Sequence, residues 1–350
     1  MLSDADRTAA HAWIAEALAV APADLDVAVV RERGWGDIWQ ATPRTGPAAG
    51  DLHWFKAPHP PLAREVGLRR VLDARCPDEI LPLIAADAVR GWQLSADAGP
   101  TLAAHSRTLA SRSRTEHLGS RTEGIVSLIP DDGPAPGYVA LARALARVQR
   151  GVSAADLVGL GMPEFRPADA VRTMAERLEV FAALPVGHPA HCRPKEKARA
   201  ADQMRAVVGT WEELVEEHPE LDLLSVEHND LHAGNAFLVD GRVRISDWGD
   251  AVLGHPFASL RALLFPARNV FGQVAVTAIR AAYLEEFFAG REAPPQQVQQ
   301  RALDLAMTLG AANRLQCWTV MPETVWREYA EYIVPLWREA GRPFAEVTMA

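Results

Sequence analysis

A short island breaks two long stretches of helical periodicity. Residues 225–251 read Ser-Val-Glu-His-Asn-Asp-Leu-His-Ala-Gly-Asn-Ala-Phe-Leu-Val-Asp-Gly-Arg-Val-Arg-Ile-Ser-Asp-Trp-Gly-Asp-Ala. Residues 236–239 and 242–245 suit short strands, and Asp240-Gly241 between them is a two-residue hairpin signal. A hairpin brings the chain back to where it left. Asp230 and Asn235, ahead of the first strand, should therefore face Asp247 and Asp250, after the second. Two carboxylates and an amide oxygen in one cleft make a hard, oxygen-rich site that suits magnesium bound with a nucleotide's phosphates. A carboxylate beside it can orient an acceptor hydroxyl and take its proton. Phosphoryl transfer asks mainly for such positioning and for neutralised charge.

Upstream the chain is mostly strand-like. Ser3 to Asp6 reads as a capping box opening a helix, with Trp13, Ile14, Ala17 and Leu18 on one face. Residues 25–30 and 37–42 read as strands joined by a turn over 31–36. Residues 51–56 form a third strand, and 61–75 a helix with Leu62, Val66, Val71 and Leu72 buried. Residues 81–85 and 91–96 read as two further strands. From Tyr138 to Glu217 and from Pro266 onward the periodicity is helical, with Leu141, Leu145 and Val148 on one face and Met174, Leu178 and Phe181 on another. The segment 103–123, rich in Ser, Thr and Arg, and the Pro/Gly-rich stretch 130–137 read as a solvated linker.

At 350 residues the chain is long enough for two lobes. Its net charge of −9 argues against a nucleic-acid partner, which calls for a basic face. Cys76, Cys192 and Cys317 lie far apart with no CxxC pair, which fits a reducing compartment. The first twenty residues lack a basic stretch followed by an apolar block, and no uninterrupted apolar run is long enough to cross a bilayer. The expectation is a cytoplasmic protein without a membrane partner.

His228-x-Asp230-Leu-His-x-Gly-Asn235, followed by Ile245-Ser-Asp247-Trp-Gly-Asp250, resembles the catalytic segment of the aminoglycoside phosphotransferase and choline kinase family, small-molecule relatives of protein kinases. The resemblance implies an α+β bilobal protein-kinase-like fold. A nucleotide-binding lobe would occupy residues 1–97, with a small antiparallel sheet and one inserted helix. A hinge and irregular linker or lid would occupy 98–137, and a larger helical lobe with the catalytic loop and acceptor site 138–350. It implies Asp230 as catalytic base, Asn235 and Asp247 as Mg2+ ligands, and His228 as a brace of the catalytic loop. His232 would contribute local hydrogen bonds. The co-substrate would be ATP or GTP. Lys56, ending a strand, and Glu65, in the next helix, match the strand lysine and helix glutamate of kinases. Residues 92–99 resemble the hinge, with Leu94 and Ala96 near the nucleotide base. Gly34 and Gly36 stand where kinases carry a fuller glycine-rich loop, and their alternative role is positive φ in a turn.

The acceptor pocket is expected between Asp230 and the C-terminal helices, with Asp250, Glu285 and Trp318 as candidate contacts and Glu286, Glu323, Trp326 and Glu328 behind them. An acidic and aromatic lining would suit an aminoglycoside-like amino sugar. Ordinary metabolites such as a sugar, an amino alcohol or a choline-like molecule are the alternative acceptors, which leaves antibiotic resistance open as a role. A different chemistry is also compatible with the island. His228, Asp230, His232, Asp247 and Asp250 could form the binuclear cluster of a metal-dependent hydrolase. A kinase fold without turnover, acting as a binding module, is a third reading.

Overall fold

The computed structural model describes residues 2–105, 135 and 137–346. Helix α1 (Asp4–Ala17) opens on Ser3, whose hydroxyl accepts from the Asp6 amide. Then come β1 (Leu25–Arg33), β2 (Gly36–Pro43), β3 (His53–Pro58), α2 (Glu65–Arg75), β4 (Ala85–Asp87) and β5 (Trp92–Ala96). The five strands form one antiparallel sheet in the order β1-β2-β3-β5-β4, with α2 inserted after the third strand.

The pleat decides which residues meet the cleft. Phe55 pairs across the strands with Trp39 and Leu94, and all three are buried in one cluster with Ile14, Leu25 and Trp92. Lys56, one residue on, lines the opposite face with Ile38.

The second half is mainly helical. Its long helices are α3 (Tyr138–Gly151), α4 (Ala170–Ala182), α5 (Pro194–Glu217), α6 (Leu260–Phe288) and α7 (Gln296–Thr319). Leu141, Leu145 and Val148 of α3 and Met174, Leu178 and Phe181 of α4 are buried, as their spacing predicts. Two small sheets interrupt the helices. One pairs β6 (Ser225–Glu227) with β9 (Val252–Gly254), and the other is the hairpin of β7 (Ala236–Val239) and β8 (Arg242–Ile245). Asp240 and Gly241 take φ of 51° and 76°, the left-handed pair that a two-residue hairpin requires.

The structure departs from the sequence reading at several places. The helix expected from Pro61 starts four residues later. Pro60 and Pro61 bring no N–H, and residues 60–62 close a 3-10 turn instead, with Leu62 donating to the His59 carbonyl. Glu65 thereby becomes the first residue of α2, where a carboxylate suits the helix N-terminus. The strand expected over 81–85 begins only at Ala85. The segment Pro256–Phe288 is long and apolar enough by length and composition to cross a bilayer. Leu263, Leu264, Ile279, Tyr283 and Phe287 of this segment are buried in the core, and Gly272 (φ 77°) breaks the helix. The linker readings over 103–123 and 130–137 fall almost wholly outside the described residues.

Candidate active site

The hairpin closes the site. The Ser246 amide donates to the Asn235 carbonyl over 2.9 Å, which ties the end of the loop before β7 to the start of the turn after β8. Asn235 Nδ2 donates to the Asp230 carbonyl (3.0 Å), so its Oδ1 is the atom left for the cleft. Asp247 sits in a left-handed conformation, φ 59°. The His228 amide donates to Ser259 Oγ, and its ring Nε2 lies 3.0 Å from the Ser246 carbonyl, so that nitrogen carries the proton. Burial pushes the imidazole down to about 4, which keeps it neutral. It packs against Trp248 with ring centroids 4.4 Å apart.

The sheet supplies the cation. Lys56 Nζ donates to Glu65 Oε2 (2.6 Å) and to Asp247 Oδ1 (2.5 Å). The other Glu65 oxygen accepts from the Trp248 amide at 2.9 Å. One fully buried carboxylate thus locks α2, the β3 lysine and the aspartate turn together. Burial works against the Lys56 charge, but Asp247 and Glu65 outweigh it and hold the ammonium above its ordinary range. Burial likewise pushes Asp247 up, and Lys56 overcomes it, bringing the carboxyl down to about 2. Asn235 Oδ1 and the Asp247 carboxylate are two oxygen donors open to the same cavity, a set that fits Mg2+ with remaining positions for water and phosphate oxygens. Lys56→Ala should raise the nucleotide KM roughly 10- to 100-fold, the loss of a charged hydrogen bond. Unchanged steady-state kinetics in ATP would overturn this placement.

Asp230 has a partner that the sequence did not suggest. Arg314 on α7 donates through one nitrogen to Asp230 Oδ1 and through another to Asp250 Oδ2, each at 2.7 Å. Asp230 Oδ2 faces His232 Nε2 at 3.8 Å, while His232 Nδ1 accepts from the Gly234 amide. Burial raises Asp230, Arg314 opposes this, and the Asp250 charge adds to the rise.

Asp230, His232, Arg314 and Trp318 line two cavities at once. One, about 400 Å³, contains Lys56, Asn235 and Asp247. The other, about 520 Å³, extends toward Tyr138, Phe265 and Tyr332. A third cavity of about 660 Å³ runs from Lys56, Asn235 and Asp247 under the sheet to Ala96 and Pro100.

Several expected contacts lie elsewhere. Glu285 is exposed and pairs with Arg143, and Glu286 pairs with Arg147 and Arg150, both away from the cavity. Glu323 is exposed, Glu328 bonds Arg33, and the Trp326 indole donates to the Trp318 carbonyl. The 520 Å³ cavity is therefore largely aromatic, with Glu227 and Asp230 as its acidic residues in place of the expected set. Asp250 is engaged by Arg314 and lines only the 400 Å³ cavity of the two, whereas Trp318 lines the 520 Å³ cavity as well. Leu94 is an interior strand residue with its side chain in the apolar core and its carbonyl accepting from Ile84, and the following Ser95 and Ala96 line the 660 Å³ cavity.

Gly34 and Gly36 do not line any of the three cavities above. A Cβ on Gly34 would stand 2.2 Å from Val325 Cγ2, and one on Gly36 (φ 153°) 2.7 Å from the Ala57 carbonyl. The β1–β2 turn is docked on the C-terminal helices, where Trp35 packs edge-on to Tyr329 at 5.1 Å and lines both smaller cavities. Among the described residues, no three His, Cys, Asp or Glu side chains are grouped to hold a metal, so the binuclear cluster does not assemble.

No protein-family model and no curated protein matches the chain in sequence. Solved structures match it nearly end to end. A macrolide 2'-phosphotransferase type I is 16% identical over 97% of this chain and 98% of its own, with a TM-score of 0.55. Choline kinase from Cryptosporidium parvum Iowa II is 10% identical over 95% of both chains, with a TM-score of 0.60. The fold is that of the small-molecule kinases. An amicoumacin kinase in complex with AMP-PNP, Ca2+ and Ami shares it as well, at 12% identity over 98% of both chains and a TM-score of 0.52. The expected bilobal kinase-like architecture is what the structure shows, with the antiparallel sheet in the first part and helices in the second.

Proposed function

We infer that this protein transfers the γ-phosphate of ATP or GTP to a hydroxyl group of a small molecule. The observation that carries this is the meeting of Lys56, Glu65, Asp230, Asn235 and Asp247 where three cavities join. The 660 Å³ cavity suits a nucleoside, the 400 Å³ cleft its phosphates, and the 520 Å³ cavity the acceptor. A divalent ion held by Asn235 and Asp247 would supply charge neutralisation on the phosphates. Lys56, fixed by Glu65, donates to a phosphate oxygen. Asp230 Oδ2, the oxygen not bonded to Arg314, orients the acceptor hydroxyl and takes its proton as the oxygen–phosphorus bond forms and the bond to the leaving diphosphate breaks.

The acceptor cavity speaks to the substrate. Its walls include Tyr138, Phe265, Trp318 and Tyr332, and Arg261 and Arg314 bring positive charge. Its acidic residues are only Glu227 and Asp230, the latter engaged by Arg314, fewer than a polycationic aminoglycoside would call for. A bulky, largely apolar acceptor suits it better, and the likeness to a macrolide phosphotransferase supports the same class.

The test is nucleotide consumption by purified protein with magnesium across macrolides, aminoglycosides, sugars and amino alcohols, with Asp230→Ala as blank. Diphosphate release that depends on an apolar acceptor and is absent from the blank is expected. Failure of ATP or GTP with magnesium to shift the melting temperature, together with no turnover, would sink the kinase reading.

A further inference from the structure

One ionisable side chain lining the acceptor cavity has no part in the reaction above. Glu227 ends β6, three residues before Asp230, and lines the cavity although only 1% exposed. Its Oε2 accepts from Asn313 Nδ2 on α7 at 2.6 Å. Its Oε1 lies toward Gly310, another lining residue, where a Cβ would stand 3.9 Å from it. Two glycines keep room around this group. A Cβ at Gly254 would meet Oε2 at 2.5 Å, and one at Gly310 would meet Ala258 Cβ at 3.0 Å.

Among the described residues, no Lys, Arg or His forms an ion pair with Glu227. Arg177 acts on it through space, but its guanidinium donates to the Ala312 carbonyl, and Arg314 is engaged by Asp230 and Asp250. Burial pushes the Glu227 carboxyl up to about 8, against Asn313, Arg177 and Arg314. A buried carboxyl without a cation is unfavourable, and an apolar side chain would fill the same place without that penalty. A local violation of this kind, in the lining of a cavity, marks a group kept for a ligand.

Taking the cavity as the acceptor site of the kinase reading, we propose that Glu227 anchors a protonated amine on the acceptor through Oε1, while the acceptor's hydroxyl is presented to Asp230. Without a cation the group keeps its proton at neutral pH, whereas a neighbouring ammonium favours the carboxylate, whose oxygens only accept hydrogen bonds and whose partner must donate. A hydroxyl supplies the donor alone, whereas an ammonium also compensates the charge. The acceptor is then an amphipathic molecule with an apolar body, one amine and one reactive hydroxyl.

The test compares 2-phenylethylamine with its isostere 2-phenylethanol, titrated calorimetrically into the full-length protein. The wild type should bind the amine at least ~10-fold more tightly, about 1.4 kcal/mol. Glu227→Gln, which keeps the shape and an oxygen for Asn313, should bind the two alike. Equal binding by the wild type, or an amine preference that survives in Glu227→Gln, overturns the proposal. Gly310→Ala narrows the cavity at a position where helix propensity favours alanine and Ala258, 3.0 Å from the new Cβ, has to shift by a few tenths of an ångström. It should weaken the amine at least as much as the alcohol, and undiminished amine binding in it overturns the proposal even where Glu227→Gln does not fold. The melting shift with ATP and magnesium, read on the same samples, reports separately on the kinase reading.

Discussion

Asp230→Asn should reduce kcat for phosphoryl transfer by about 10²- to 10⁴-fold, the range of a positioned general base. The substitution is isosteric, and its amide oxygen can still accept from Arg314, so the loop should keep its shape. What is lost is the proton acceptor at the second oxygen. Nucleotide affinity should stay within about two-fold, because the groups facing the phosphates, Lys56, Asn235 and Asp247, are held by other contacts. Lys56 is fixed by Glu65 and Asp247, and Asn235 by the Asp230 backbone carbonyl, which the substitution leaves in place. A thermal shift with nucleotide beside a steady-state assay separates the two effects. Wild-type kcat in the variant would remove Asp230 from the role of base. A matching loss of nucleotide affinity would show that the side chain serves the phosphate cleft.

How much of the site is legible in the sequence depends on separation along the chain. The hairpin and the loop before it lie within a few tens of residues, and their turn chemistry fixes their geometry. The local sequence therefore places Asp230, Asn235 and Asp247 together. Lys56 is legible because strand alternation sets it opposite Phe55, and Glu65 because a helix follows. The acceptor side is not. Glu285 and Trp318 both sit on helices of plausible character, and only packing decides that the first pairs with Arg143 at the surface while the second lines the cavity. Gly34 and Gly36 read as a phosphate loop, but their bare Cα atoms serve close packing against Val325 and the Ala57 carbonyl. Between them, Trp35 reads as part of a turn and lines the 520 Å³ cavity. Arg314 lies 84 residues beyond its partner Asp230. It does carry one signal: it is the lone charged residue between Asp304 and Glu323, in a mainly apolar run. A charge in such a run is seldom buried without a partner.

That partner makes Arg314 the second position where a large effect is expected. Arg314→Met keeps the length and apolar stem of the side chain and removes the cation from between two carboxylates. Asp230 then stands near Asp250 with nothing to offset the repulsion, and its pKa must rise further. A base has to be ionised to work, so the acid limb of the kcat/KM profile should move to higher pH. A charged hydrogen bond contributes about 1.5–3 kcal/mol, which corresponds to a displacement of roughly 1–2 pH units. Arg314→Lys should recover only part of it, because one ammonium cannot bridge two carboxylates as the planar guanidinium does. Stability should follow the same sign. In the methionine variant the folded state holds a proton that the unfolded chain releases, so folding weakens as pH rises through the carboxylate range. The gap in Tm from wild type should widen between pH 5 and pH 8. A lower Tm with an unmoved pH–rate profile would reduce Arg314 to a structural brace. A displaced profile, partly restored by lysine, would make it the residue that sets the ionisation of the base.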